Sequence, residues 1–202
     1  STTIQTILGL RKVAKNPNFS SLLLVGAFIS APFMAYLALA SYIYIDGFGV
    51  SETTFSMYFA SNAATSILGP VMYMRFGAGS VKKVINVGII VAIISAILIL
   101  TVGNASPIIF LLSYVLYSVM TSYFRPLISD LLLSSTKTDV GAASSVMNFG
   151  FTVIGSIGMV VGSLQWSSYT GGLAITMLIF IALTTTVWFY LLKAKSIRFD
   201  WK

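Results

Sequence analysis

Long apolar stretches separated by short polar connections dominate the chain. They cover Phe19–Ile45, Thr53–Met74, Val84–Val102, Pro107–Leu133, Ala142–Leu164 and Leu173–Leu192. Each has about the 20 residues that an α-helix needs to cross the hydrocarbon core of a bilayer. The pattern therefore predicts an all-α membrane protein with six transmembrane helices, in which the short connections make sequential helices antiparallel neighbours. The third and sixth stretches are apolar all round, which is typical of a lipid-facing periphery.

The polar ends of the chain lie outside these stretches. Residues 1–18 predict a cytoplasmic linker, residues 19–192 the six-helix bundle, and residues 193–202 a cytoplasmic tail. The first segment has no short apolar core followed by a cleavage site, so it does not resemble a signal peptide. Because the sequence does not start with Met, we expect it to begin inside a longer protein.

Lysine and arginine alternate between the two sides of the predicted membrane. They precede the first stretch and follow the second, fourth and sixth, whereas the connection after the first holds only Asp46 and Glu52. Cytoplasmic loops carry the excess of basic residues, so both termini are predicted to be cytoplasmic. The first set of three helices begins on the inside and the second set begins on the outside. This arrangement suggests an inverted three-plus-three repeat. No residue-level similarity between the halves supports it, so the repeat is a hypothesis.

The composition of the chain excludes several classes of function. The chain is 57% hydrophobic and 8% charged, whereas a soluble domain carries about 25% charged residues. The net charge of +7 fits basic cytoplasmic loops, and the basic residues are not clustered on polar surface as nucleic-acid binding requires. There is no cysteine and no histidine, which removes disulfides, thiolate metal sites and the commonest catalytic base. We therefore expect no enzyme, no cofactor and no metal site.

Arg125 is the strongest single candidate for a functional residue. It lies in the fourth apolar stretch and precedes Pro126, which lacks a backbone donor and predicts a kink. A charge at the bilayer centre costs at least roughly 2.5 kcal/mol, so such residues usually face a cavity or a partner. Alternatively Arg125 snorkels to the cytoplasmic surface, because its stretch ends about eight residues, or roughly 12 Å, further on. We expect the bundle to be organised around this bent, polar point.

The carboxylates limit the mechanism. Asp130 lies near the inner surface, poorly placed for an ion pair with Arg125, and is predicted to act as a cytoplasmic latch to Lys137, a neighbouring helix or another domain. The other acidic residues lie in connections or in the tail. Proton coupling usually needs a membrane-embedded carboxylate. If the protein is driven by protons, the proton carrier should lie in a part of the protein outside this sequence.

Further candidates are amides, aromatic rings, prolines and glycines. Asn62 and Asn148 are predicted to be buried amides that bond a neighbouring helix or contact a substrate. The rings that could wall an apolar small-molecule pocket are Phe33, Tyr36, Tyr58, Tyr117, Phe124 and Phe149. Ordinary helix packing is the simpler alternative for each. Pro32 and Pro70 are predicted to bend the first two helices. Gly158 and Gly162 form a GxxxG pair, which predicts close packing or a helix that slides during transport.

Three stretches, in this order, resemble one known family. They are Ser41–Ala63, which includes SYIYI, FGVS and FASNA; the basic loop Arg75–Lys83; and Pro126 followed by Gly141–Phe149, GAASSVMNF. Together they are similar to the C-terminal half of major facilitator superfamily drug exporters of the bicyclomycin/chloramphenicol-resistance (Bcr/CflA) branch. The basic loop departs from the family pattern because it has no acidic residue.

The resemblance implies a twelve-helix transporter of which this chain is helices seven to twelve. Such proteins export small amphipathic molecules or drugs in exchange for protons, by alternating access in the bacterial inner membrane. The implied partners are membrane lipid, the N-terminal six-helix half, a small-molecule substrate and protons. The residues alone leave two alternatives open: a six-helix oligomeric channel, which would need a filter that the short connections do not suggest, and a membrane scaffold subunit.

Overall fold

The computed structural model describes residues 9–77, 79–135 and 140–194. The described residues contain helices and connections but no strand. The helices are α1 Pro17–Ser41, α2 Glu52–Ser66, α3 Leu68–Phe76, α4 Val81–Val102, α5 Pro107–Ser134, α6 Val140–Gly162 and α7 Tyr169–Lys193. A π-helical turn, Tyr42–Gly47, continues α1, and residues 9–14 are also helical. Lys137 and the outer parts of the predicted linker and tail lie outside the described residues.

The helix starts follow from local chemistry. A side-chain oxygen that accepts a bond from a backbone N–H of the first turn satisfies a donor that has no partner within the helix. Asn16, Ser51, Ser106 and Ser168 do this for α1, α2, α5 and α7. Proline occupies the start of α1 and of α5, where its missing N–H costs nothing.

Among the described residues, five helices are long and apolar enough to cross a membrane, which is the architecture of an α-helical membrane protein. They are Pro17–Gly47, Val81–Val102, Pro107–Ser134, Val140–Gly162 and Tyr169–Lys193. The remaining predicted stretch, Thr53–Met74, is not one continuous helix but the separate helices α2 and α3. Pro70 explains the break, because it cannot donate to the carbonyl of Ser66 and its ring crowds that group.

Prolines elsewhere do not interrupt a helix. Pro32 lies inside α1 and Pro126 lies inside α5, and both helices continue through them. The break before Pro70 is therefore specific to that site. At this point α3 also packs very closely on α5: a Cβ atom on Gly69 would lie 2.5 Å from the backbone nitrogen of Tyr123.

Among the described helices, α1 is the most extensively packed; the organisation of the bundle around Arg125 stays a prediction. α1 packs against α5, α6 and α7. It is apolar on all sides and carries small residues at its contacts, among them Gly26, Ala31 and Ala35, which are buried. Small residues let helices approach closely in a membrane. Arg125 lies instead on an exposed side of α5.

α4 is a peripheral helix. It packs against α5 and α7 along one side, and its opposite side exposes large apolar residues, namely Val87, Ile90, Ile94, Ile97 and Leu100. In a membrane protein an exposed apolar side of this kind suits contact with lipid. The sequence-based assignment of this helix to the periphery agrees with its position.

Candidate functional site

Arg125 reaches from α5 towards α6. The central carbon of its guanidinium lies 4.5 Å from the centroid of the Phe151 ring, and Phe151 is itself buried. A cation over an aromatic face within about 6 Å is attracted by the ring. Arg125 lies only about 7 Å, measured along the axis, from the middle of α5. The guanidinium is thus held against the Phe151 ring of α6.

Exposed residues of α6 continue the surface on which Arg125 lies. Asn148 is one turn before Phe151 and is exposed, so its prediction as a buried amide was wrong. Its side-chain nitrogen lies 3.5 Å from the Ser144 hydroxyl on the same helix, a long hydrogen bond. Phe149 is 70% exposed. We call Arg125, Asn148, Phe149, Thr152 and Ser156 the α5–α6 face.

The hydroxyl groups on this face need fewer additional hydrogen-bond partners than the Asn148 amide does. The Ser156 hydroxyl donates to the backbone oxygen of Thr152 at 2.9 Å, so its own helix satisfies it. A primary amide has two donors and an acceptor, and a single long bond leaves most of this capacity unused. Arg125 and Asn148 are therefore the groups on this face that most need a polar environment.

Asn62 has the opposite placement. It is 4% exposed on α2, and among the described residues no group hydrogen-bonds to its side-chain oxygen. A buried polar group without a partner costs about 1–3 kcal/mol. The prediction of burial is confirmed for Asn62, and the structure does not bring Asn62 onto the α5–α6 face.

An aromatic cluster fills the space between α1, the π-helical turn, α2 and the start of α5. Its rings belong to Tyr36, Tyr44, Phe48, Phe55, Tyr58, Phe59, Phe110, Tyr114 and Tyr117. Tyr36 stacks on Tyr114 at 4.0 Å between ring centroids, and Tyr58 stacks on Tyr44 at 5.1 Å. Offset stacking of this kind stabilises aromatic cores.

The cluster is packed interior, which corrects the predicted role of two rings. Tyr36 and Tyr117 are fully buried, so they fill the bundle instead of walling an open pocket; Tyr58 is half-buried at the edge. The sequence-based selection missed Tyr44, Phe110 and Tyr114. The spacing of Phe110, Tyr114 and Tyr117, which repeats with the period of a helix face, is the signal that could have found two of them.

Two other predicted rings lie elsewhere. Phe124 is buried between α5 and α4, where a Cβ atom on Gly88 would lie 2.3 Å from its ring. Phe124 packs against α4 there and also lines a cavity between α3 and α4, which none of the other predicted rings lines. Phe33 is half-buried against the core.

The GxxxG pair makes a close contact between α6 and α1. A Cβ atom on Gly158 would lie 2.5 Å from the backbone oxygen of Ala31, and one on Gly162 would lie 2.9 Å from the Cβ atom of Ala35. The predicted close packing is therefore observed. A sliding role for α6 stays a prediction.

At the predicted cytoplasmic end, two tyrosines join α3 to α5. Tyr73 donates its hydroxyl proton to the Asp130 carboxylate at 2.9 Å, and Tyr123 donates to the backbone oxygen of Gly77 at 2.6 Å. The two rings meet edge to face at 5.6 Å. Asp130 thus contacts a neighbouring helix, one of the three partners considered. Tyr73 was not a sequence-based candidate, and Pro70 lies exposed one turn before it.

The described residues contain no group of three or more His, Cys, Asp or Glu side chains that could hold a metal ion. No family model matches the sequence, and no curated protein matches it.

Proposed function

We propose that this chain is one six-helix half of a secondary-active transporter that exports small amphipathic molecules or drugs in exchange for protons. In this proposal α2 and α3 together cross the membrane once, as the second crossing along the chain, and bring the total to six. Both termini lie on the cytoplasmic side of a bacterial inner membrane. The α5–α6 face meets the N-terminal half across a substrate path, and the carboxylate that carries the proton belongs to that half.

The observation that carries the proposal is the charge on the α5–α6 face. The guanidinium of Arg125 lies within an apolar helix, exposed and near the middle of its length. In contact with lipid it would cost at least roughly 2.5 kcal/mol, and stacking on Phe151 offsets about 0.5–2 kcal/mol of that. The face is therefore better suited to a water-filled path or a protein partner than to lipid.

The remaining residues of the face fit a small-molecule path. Such sites combine apolar and aromatic surface with a few polar groups that fix orientation. Phe149 supplies an exposed ring, and Asn148 supplies an amide with unused hydrogen-bonding capacity. The resemblance of Ser41–Ala63, Arg75–Lys83 and Gly141–Phe149 to drug exporters supports the same assignment.

The test is efflux by bacteria that produce the natural protein containing this sequence. In drug-sensitive cells, energy-dependent export of a fluorescent lipophilic cation should fall by about tenfold or more in Arg125→Ala, which corresponds to about 1.4 kcal/mol of lost stabilisation during transport. Arg125→Lys, which keeps the charge, should retain part of the activity. Lys193→Ala, which removes an exposed charge at the end of α7, is the matched control and should export normally.

Normal efflux by Arg125→Ala, at normal amounts in the membrane, would remove this residue from the mechanism. Absence of energy-dependent export by the unmodified protein would contradict the proposal as a whole. Ion conductance by the purified chain alone in liposomes would favour the oligomeric channel instead.

A further inference from the structure

A groove lies between α3 and α4, on the side of the bundle away from Arg125. Both helices pack against α5 but hardly against each other, and the gap between them is a cavity of about 510 Å³. Its walls and floor include Met72, Phe76, Val84, Val91, Leu116 and Val119. We call it the α3–α4 groove.

The groove faces away from the α5–α6 face. Leu116 on its floor and Arg125 are nine residues apart on α5, which places them about 180° apart around the helix axis. The open side of the groove carries Val87, which is 58% exposed, and continues into the exposed apolar side of α4 at Ile90 and Ile94. The open side of the groove is therefore bordered by apolar surface of the kind that contacts lipid.

One end of the groove is positively charged. Lys83 is the only charged group among the described residues that line it, and the exposed side chains of Lys82 and Arg75 belong to the same end. The nearest acidic group along these elements, Asp130, is bonded to Tyr73. The end is thus complementary to an anion that also carries an apolar chain.

The start of α4 adds to this charge. No side chain caps its first turn, although Ser80 occupies the capping position, and the first turn holds no acidic residue. Free N–H groups and the helix dipole make this end positive. Lys82 and Lys83 in the same turn are unfavourable there on their own, and an anion near them would relieve the repulsion.

The dimensions suit one acyl chain. From Lys83 to Val91 the groove follows eight residues of α4, or about 12 Å, which is most of the depth of one leaflet's hydrocarbon, about 15 Å. Its volume falls within the range of about 300–1,000 Å³ that is usual for ligand sites. An acyl chain could lie along α4 with its phosphate at Lys83.

We propose that the α3–α4 groove binds an anionic phospholipid of the cytoplasmic leaflet, with the phosphate at Lys83 and the start of α4 and one acyl chain between α3 and α4. Basic residues at a membrane surface attract anionic lipids, and the groove supplies the complementary apolar surface. The inference requires that the helices span a membrane with Lys83 on the cytoplasmic side, and it holds whether or not the protein transports.

The experiment uses tryptophan reporters in the purified full chain, reconstituted into liposomes that contain brominated phosphatidylglycerol or brominated phosphatidylcholine. Leu116→Trp and Val87→Trp each place a reporter in the groove, and Leu183→Trp, 41% exposed on α7, is the control. Quenching of the native tryptophans, measured in the unmodified chain, is subtracted. Reporters in the groove should show a preference for phosphatidylglycerol of about fivefold, the effect of roughly one lysine, and Leu183→Trp should show none.

Charge variants then locate the headgroup. Lys83→Gln should abolish the preference at both groove reporters, Lys83→Arg should keep it, and Lys12→Gln, an equal loss of charge before α1, should leave it unchanged. Equal quenching by the two lipids in the groove, or a preference that survives Lys83→Gln, would overturn the proposal. Loss of the preference on adding inorganic phosphate at constant ionic strength would also overturn it, because that result indicates a free-phosphate site.

Discussion

Two fully buried tyrosines of α5 differ in their hydrogen bonds. Tyr117 donates to the backbone oxygen of Ile29 on α1, close to Pro32, which deprives the Phe28 carbonyl of its usual donor. The Tyr114 hydroxyl has no hydrogen-bond partner in the part of the chain that the structure describes. An unpaired buried polar group lowers the stability of the fold, whereas a paired one raises it modestly. The two hydroxyls therefore have opposite effects on stability.

Removing these hydroxyls should therefore give opposite results. Tyr117→Phe should lower the free energy of unfolding by about 0.5–1.5 kcal/mol, since it removes a buried hydrogen bond between α5 and α1. Tyr114→Phe, the matched control, should leave the free energy unchanged or raise it. Denaturant unfolding in detergent, followed by circular dichroism, measures both. A larger loss of stability in Tyr114→Phe than in Tyr117→Phe would contradict the assignment.

Sequence information at this scale identifies residue types but not their surroundings. Asn62 and Asn148 look alike in the sequence, as single amides in apolar segments, yet one is buried and the other exposed. Which side of a helix is covered depends on neighbours that are distant in the chain. For the same reason Arg125 stood out by its charge, whereas its contact with Phe151 was not predictable.

The contact between α1 and α6 depends on glycines that differ in what surrounds them. Gly158 faces the backbone oxygen of Ala31, whereas Gly150 faces the end of the Leu23 side chain, 2.8 Å from where its Cβ atom would be. A side chain can rotate away from an added methyl group, but a helix backbone cannot do so without moving the helix.

Gly158→Ala should accordingly destabilise the bundle more than Gly150→Ala. We expect a loss of about 1–3 kcal/mol for Gly158→Ala, the usual cost of overpacking, and a smaller loss for Gly150→Ala, its matched control. Thermal unfolding in detergent, followed by tryptophan fluorescence, compares the two variants. Equal losses of stability in the two variants would contradict this prediction, because they would show that α1 and α6 separate easily at Ala31.

At the scale of elements, the apolar pattern located the long helices but not the break between α2 and α3. Pro32, Pro70 and Pro126 are equally visible in the sequence, and only Pro70 follows an interruption. The apolar pattern does not distinguish these three prolines, because each lies within a long apolar stretch.

At the scale of the whole molecule, the sequence predicted a helical membrane protein and five of its long helices. It did not identify α1 as the central helix, because a helix that is apolar on all sides gives no sign of which neighbours surround it. It favoured Arg125 as the centre because a charge is costly in lipid, whereas in the structure Arg125 lies on an exposed side of α5. The side of the membrane on which each end lies stays a prediction from the charges.

The central claim is that the α5–α6 face borders a polar path while α4 faces lipid. The sequence has no cysteine, so single-cysteine variants of this chain report one position each. Asn148→Cys and Thr152→Cys lie on the α5–α6 face, and Ile94→Cys lies at a similar depth on α4. In membranes, a charged, water-soluble maleimide should label the first two and leave Ile94→Cys unlabelled, because thiols react with it only where water enters. Labelling of Asn148→Cys and Thr152→Cys no faster than that of Ile94→Cys would contradict the account.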